Sequence, residues 1–308
     1  MKVTLLAGGT GGTKLAHGFA LLPDDVELTV VANVGDDAEM HGLLVCPDID
    51  ALLYTLAGLL DTEQGWGIRG DTHTAHAQFE RLGEPTWFRV GDADLATHAT
   101  RTRLLSEGLS LTDATARMAA ALGIGARILP ATDERHRTVV ETDEGVLEFQ
   151  EYFVHRRQAP EVRRVRFDGT ARPTDAVLDA ISTADLIVLG PSNPVVSIGP
   201  ILALPGVRDA MREAAAPVVS VSPIVGGRAL RGPADRMMTS LGHESSALGV
   251  ARLHAGLVDR FVIDETDVGL GHAIQRETGA SVDVLPTVMR SDDDRAALAR
   301  AILDAAIG

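Results

Sequence analysis

The chain has 308 residues, 45% of them hydrophobic and 23% charged, with 43 acidic against 28 basic residues and a formal charge of −15. That apolar fraction supplies a buried core and excludes wholesale disorder. The acidic balance argues against a protein that coats nucleic acid or an anionic membrane, and the single cysteine, Cys46, excludes an intrachain disulfide framework or a cysteine-rich zinc module.

Only two of the basic residues are lysines, Lys2 and Lys14. Any phosphate must therefore be held by backbone N–H groups, metal ions or particular arginines. The first apolar run, residues 3–7, meets Gly8 at once, unlike a signal peptide. No stretch approaches the ~20 apolar residues of a membrane helix. The expectation is a soluble, cytoplasmic protein.

In chain order, residues 3–7 read as a strand that ends in Gly8-Gly9-Thr10-Gly11-Gly12, and residues 13–22 as the helix that follows. Glu27–Ala32 reads as a second strand, apolar enough to be buried on both faces of a parallel sheet. Residues 50–123 are helical in pattern and residues 127–166 turn β-like, with Asp143-Glu144-Gly145 as a hairpin turn. Residues 185–189, 217–221, 260–264 and 281–285 read as further parallel strands, and residues 292–307 as the last helix. Strand–helix alternation predicts a doubly wound, mostly parallel α/β sheet. The middle, about residues 51–168, reads as an inserted helical region plus a small antiparallel piece within one domain spanning 1–308.

Ligands of open α/β sheets sit at the carboxyl ends of the strands. Glycines at Gly9, Gly11 and Gly12, with Thr10 and Lys14, allow backbone N–H groups to approach a phosphate at a helix N-terminus. The sixth place of a dinucleotide fingerprint is Lys14, and the second strand ends in Ala32-Asn33 rather than in an acid, which argues against a nicotinamide oxidoreductase. Thr13-Lys14-Leu15 is not a Walker sequence, and a plain tight turn remains the alternative.

Asp36, Asp37, Asp48 and Asp50 follow the second strand; Asp48 and Asp50 straddle a helix start, where acids serve as caps, but spaced aspartates with phosphate oxygens also make a hard Mg²⁺ site. Arg89, Asp92, Asp94 and His98 gather polar groups beside Trp87 and Phe88, either to line a flat aromatic ligand or as a capped helix with His98 on a solvated face. Ser192, Asn193 and Ser197 sit in a loop stiffened by Pro191 and Pro194, and Ser222 follows the next strand; both places suit a nucleotide.

As a set these segments resemble the 2-phospho-L-lactate transferases of coenzyme F-420 biosynthesis. The likeness runs nearly end to end: the glycine loop, Asn33-Val34-Gly35-Asp36-Asp37, Pro47-Asp48-Ile49-Asp50, Trp66-Gly67, Gly91-Asp92-Ala93-Asp94, Leu129-Pro130-Ala131-Thr132-Asp133, the segment 149–153, Gly190-Pro191-Ser192-Asn193-Pro194 and Ser222-Pro223-Ile224. The resemblance implies a Rossmann-like core and a homodimer. It implies transfer of a phospho-carboxylic acid, 2-phospholactate or phosphoenolpyruvate, from a guanosine-diphospho donor to the ribityl hydroxyl of Fo (7,8-didemethyl-8-hydroxy-5-deazariboflavin), with release of GMP and with Mg²⁺ as the metal.

Asp50 would be the catalytic carboxylate that orients or deprotonates the hydroxyl. Asp50, Arg89, Asp92 and His98 would bind Fo. Gly9, Thr10, Gly11, Gly12, Lys14, Ser192, Asn193 and Ser222 would bind the nucleotide and its phosphates, and some of Asp36, Asp37, Asp48 and Asp50 the metal. Some archaeal relatives carry Lys where this chain has Arg89, which keeps the charge and changes its geometry. The Cys46 loop and the segment 149–153 resemble most closely the bacterial, phosphoenolpyruvate-using members. A related non-enzymatic family, which binds sugar nucleotides on the same core, is the alternative; Trp66-Gly67 and Gly91-Asp92-Ala93-Asp94 favour the transferase.

Overall fold

A computed structural model describes residues 1–22 and 26–307. Seven strands form one parallel sheet: β1 (Lys2–Ala7), β2 (Glu27–Ala32), β3 (Arg127–Pro130), β4 (Leu186–Leu189), β5 (Val218–Val221), β6 (Arg260–Ile263) and β7 (Ser281–Val284), numbered here within that sheet. From one edge the order is β3-β2-β1-β4-β5-β6-β7, and every ladder is parallel. This is the Rossmann-like doubly wound order.

The central strands are mostly apolar because both sheet faces are covered. Leu5 and Leu6 on β1, Val30 and Val31 on β2, and Ile187 and Val188 on β4 are all fully buried. Helix α1 (Gly9–Ala20) packs against the last helix, Asp292–Ile307, and against α2 (Pro47–Leu56). The helical run continues as α3 (Thr74–Arg81), α4 (Asp92–Ser106) and α5 (Leu111–Ala121). A separate antiparallel sheet carries Arg137–Thr142 between Gly145–Glu148 and Val162–Asp168. Among the described residues no helix is long and apolar enough to cross a membrane.

Two local expectations change. The four-residue strand β3 opens the stretch read as antiparallel, yet it pairs in parallel with β2, from Thr29↔Arg127 to Ala32↔Pro130. It lies on the sheet edge, where Pro130 costs no inward hydrogen bond. The glycine run is not a loop ahead of a helix; it is the first turn of α1, which begins at Gly9. Gly9 has φ 63°, so the chain turns straight from strand into helix.

The chain leaves β1 for β2 on one side and reaches β4 on the other, so the loops after β1 and β4 part and leave a crevice. The two loops still touch. A Cβ on Gly11 would collide with the carbonyl oxygen of Pro191, so only glycine lets α1 start this close to the β4 loop.

The core also holds His254, 3% exposed after the helix Ala247–Leu253, with Nδ1 3.0 Å from Ser220 Oγ on β5. Burial, helped by the charge of Arg208, pushes its pKa down to about 4 from 6.5. The unfolded chain therefore binds this proton first. The neutral His254 contribution is complete above pH 6.5 and is lost as pH falls towards 4, about 3 kcal/mol at most. Urea unfolding across this range should show the loss, and His254→Gln should flatten that part of the slope; an unchanged slope would refute the assignment.

Candidate functional site

A cavity of about 590 Å³ opens at the carboxyl ends of β1, β2, β4 and β5 and is closed on its far side by the helical region. Its size suits a small-molecule ligand.

One part is built for anions. Gly9, Thr10 and Gly11 line the cavity with the N-terminal turn of α1, whose backbone N–H groups have no intrahelical acceptor. Facing them across the crevice, Ser192 Oγ accepts from Gly8 N at 3.4 Å. Asn193 Oδ1 accepts from Val195 N at 2.9 Å, while the buried Asn193 Nδ2 has no partner among the described residues. Lys14 Nζ donates to the Met289 carbonyl at 2.9 Å on the cavity wall, and burial together with the charges of Arg295 and Arg231 lowers its pKa. Ser222 lines the cavity, but its hydroxyl is satisfied in its own turn, donating to Ile224 O at 2.9 Å.

A second part is acidic. Asp36 and Asp48 are buried and share one donor: Asn33 Nδ2 lies 3.1 Å from Asp36 Oδ1 and 2.8 Å from Asp48 Oδ2. Burial, and for Asp36 the charge of Asp48, raises both carboxyl pKa values. Asp48 caps a helix as its position suggests, but not its own: Oδ1 accepts from Gly9 N at the head of α1, at 2.6 Å.

The third part is a chain of buried polar groups between α2 and α4. The Arg101 guanidinium grips both oxygens of Asp50, through Nη2 to Oδ1 and through Nη1 to Oδ2 at 3.3 Å. Burial works against that charge, yet Asp50, with Cys46 and Asp37 beside it, outweighs burial and raises the Arg101 pKa. His98 stands between two acids, Nδ1 3.5 Å from Asp50 Oδ2 and Nε2 3.4 Å from Asp94 Oδ1. Tyr54 OH donates to Asp94 Oδ1 at 2.6 Å. Burial pushes Asp94 up, but the neighbouring His98, the Tyr54 hydrogen bond and the charge of Arg101 together more than offset it and the net direction is down.

Aromatic rings and Arg89 make the fourth part. Trp87 stacks on His155 with centroids 5.1 Å apart, and Phe149 on Phe153 at 5.4 Å. Trp87, Phe88, Arg89, Phe149 and Phe153 all line the cavity. Phe153 and His155 belong to a single π-helical turn, Glu151–His155, a local form often found at functional sites.

The structure thus brings Gly9, Thr10, Gly11, Lys14, Asp36, Asp48, Asp50, Arg89, His98, Ser192, Asn193 and Ser222 to one cavity. Three expected residues do not line it. Gly12 is packed behind the first turn, where a Cβ would press on Ala7 and Ser192. Asp37 turns aside towards Arg137 at 3.8 Å, and burial pushes its pKa up to about 7. Asp92 does not line the wall; it caps α3, accepting from Thr74 N at 3.1 Å and Ala75 N at 2.8 Å. Asp71 in turn caps α4 through Ala93 N and Asp94 N. The acid that reaches the cavity from this segment is Asp94, and His98 is 2% exposed rather than solvated. Sequence reasoning gave no role to Tyr54, Gln150 or Arg101. Only Arg101 left a signal, its spacing of three from His98 on one helix.

A family model described as 2-phospho-L-lactate transferase CofD matches residues 3–297. The 2-phospho-L-lactate transferase of Methanothermobacter thermautotrophicus is 42% identical over 301 residues, 98% of this chain and 97% of that protein. The phosphoenolpyruvate transferase of Streptomyces griseus is 42% identical over 314 residues, 99% of this chain and 98% of that protein. The phosphoenolpyruvate transferase of Mycolicibacterium smegmatis is 41% identical over 329 residues, 99% of each. Among solved structures, a member of the UPF0052 family from Bacillus halodurans matches with a TM-score of 0.62 at 18% identity over 98% of each chain, a likeness of fold. With identity and coverage of this extent along the whole sequence, the chain belongs to the 2-phospho-L-lactate transferase (CofD) family.

Proposed function

We propose that the protein joins a phospho-carboxylic acid, 2-phospholactate or phosphoenolpyruvate, to the ribityl hydroxyl of Fo, taking it from a guanosine-diphospho donor and releasing GMP. The observation that carries this reading is one cavity that joins an anion-binding helix N-terminus to an aromatic wall, with the Asp50 carboxylate on the same surface. The α1 turn and the unpartnered Asn193 amide suit the donor's phosphates and nucleotide. The flat ring system suits Trp87, Phe88 and Phe149, with Arg89 beside it.

In this reading the ribityl oxygen attacks the distal phosphorus of the donor. The new P–O bond forms as the bond to the bridging oxygen breaks, and that oxygen leaves with GMP. Asp50 orients the hydroxyl and accepts its proton. Lys14 and the α1 amides offset negative charge at the phosphates.

The residues fit Mg²⁺ in one mode only. No group of three or more ligating side chains stands ready among the described residues. Asp36 and Asp48 form a pair of buried carboxylates held by one amide, which matches a site that takes one or two carboxylates and completes its shell with substrate phosphates. Mg²⁺ held there would supply charge neutralisation at the diphosphate. Asp50 is committed to Arg101 and Asp37 lies off the cavity, so neither belongs to this pair.

Incubation with Fo, Mg²⁺ and each guanosine-diphospho donor should yield GMP and an acid-bearing deazaflavin. Mass spectrometry names the acid, since the enolpyruvyl product is two hydrogens lighter than the lactyl one. Absence of both products, with tight sugar-nucleotide binding, would overturn the reading in favour of a regulator. Asp50→Asn should lower kcat by roughly 10²–10⁴-fold with its far-ultraviolet circular dichroism unchanged; a fully active variant would remove Asp50 from its role. Asp48→Asn should raise the Mg²⁺ concentration for half-maximal rate at least about tenfold, and Asp37→Asn should leave it unchanged. The reverse pattern in a Mg²⁺ titration would reassign the ligands.

A further inference from the structure

We propose that Arg101 is a positioning residue for the transfer: its guanidinium fixes the Asp50 carboxylate in the orientation that meets the acceptor hydroxyl. The inference rests on the reading of Asp50 given above.

Arg101 is fully buried and does not line the cavity, so it touches no ligand. It lies on the same face of α4 as His98 and Asp94, three and seven residues before it, and that face looks at α2. Besides gripping both Asp50 oxygens, its Nη1 donates to Leu44 O at 3.2 Å, which anchors the fork to the backbone of Leu43–Val45. The Asp50 oxygens are unequally occupied. Oδ2 faces Arg101 Nη1, the Cys46 N–H at 3.3 Å and His98 Nδ1 at 3.5 Å, whereas among the described residues Oδ1 meets Arg101 Nη2 alone. A carboxylate oxygen has two lone pairs, so Oδ1 is the oxygen left to accept the hydroxyl proton, and the fork determines which way it points.

Stability gives no sufficient reason for this residue. A buried ion pair is weak evidence for stability, and a well-packed hydrophobic side chain in such a slot is often neutral or stabilising. Among the described residues Arg101 Nε is also left without a partner. What the pair does supply is a fixed acceptor on the cavity wall, and orientation of that kind is worth large factors in rate.

The test compares Arg101→Met, Arg101→Lys, Asp50→Asn and the Arg101→Met/Asp50→Asn double variant by kcat, KM for Fo and binding of GDP. Arg101→Met should lose roughly 10²-fold in kcat with KM for Fo within about threefold. Arg101→Lys, which reaches only one oxygen, should recover part of that loss. The double variant should be no slower than Asp50→Asn alone, because the two residues act as one unit. Unchanged GDP binding shows that the fold is intact; if Arg101→Met does not fold, Arg101→Lys carries the test, with kcat again falling while KM holds.

Retention of kcat within about threefold in the folded variant, or a double variant slower by the product of the two single losses, would overturn the proposal. A fully active Asp50→Asn would instead remove the role of Asp50, and this proposal with it. A dead Asp50→Asn beside an unaffected Arg101 variant would remove this proposal alone.

Discussion

The site depends on a knot of side-chain hydrogen bonds that ties the ends of three adjacent strands. Asp48 accepts from Gly9 N, just after β1, and from Asn33 Nδ2, just after β2. The same Asn33 amide also reaches the Val196 carbonyl in the loop after β4, at 3.3 Å. Its own Oδ1 turns back to accept from Gly35 N. A parallel sheet places these ends on one side but leaves their loops free to splay at the switch point. Asn33 and Asp48 prevent that, at the cost of burying two acids, Asp36 and Asp48, around a single neutral donor. Their raised pKa values are the electrostatic signature of that cost. A cavity wall strained in this way favours whatever cation or proton arrives there.

Much of this was legible because parallel sheets obey a simple rule. Each buried strand announces itself by its apolar run, and every polar cluster that follows such a strand must lie on the same side. That is why Gly9, Asp48, Ser192 and Ser222 meet on one cavity although up to 213 residues separate them. The edge strand β3 escaped the rule because Arg-Ile-Leu-Pro is short, ends in proline and runs into a hairpin.

In the insertion the helical run and the hairpin at Asp143-Glu144-Gly145 were legible, but the caps were not. Its cap acids come from outside the helices they serve: Asp92 serves α3 and Asp71 serves α4, just as Asp48 serves α1 in the core. Spacing along one helix cannot reveal a cap donated by another, so Asp92 and Asp94 were indistinguishable until α3 and α4 were seen side by side. Arg101 was hidden for a related reason. An arginine on a helix with little apolar patterning reads as a solvated charge, and only the approach of Asp50 from α2, 51 residues away, makes it a core residue.

The net charge of −15 then divides into acids of different kinds. Exposed carboxylates such as Glu244 and Glu277 pair with Arg252 and belong to the surface. On the cavity the acids fall into two pairs with opposite treatment. Among the described residues Asp36 and Asp48 have no paired cation and are pushed towards neutrality, so under the proposed function a polyanionic donor would bring its counter-charge with it. Asp50 has its own buried cation in Arg101, and Asp94 has His98 and Tyr54 beside it. One helix, α2, supplies a member of each pair two residues apart, at Asp48 and Asp50. On a helix those positions point in different directions, about 200° apart. That geometry lets one short segment turn one carboxylate towards the first turn of α1 and the other towards Arg101. Under the proposed function it is the physical reason two spaced aspartates would serve a metal and a hydroxyl without the two demands competing for the same oxygen.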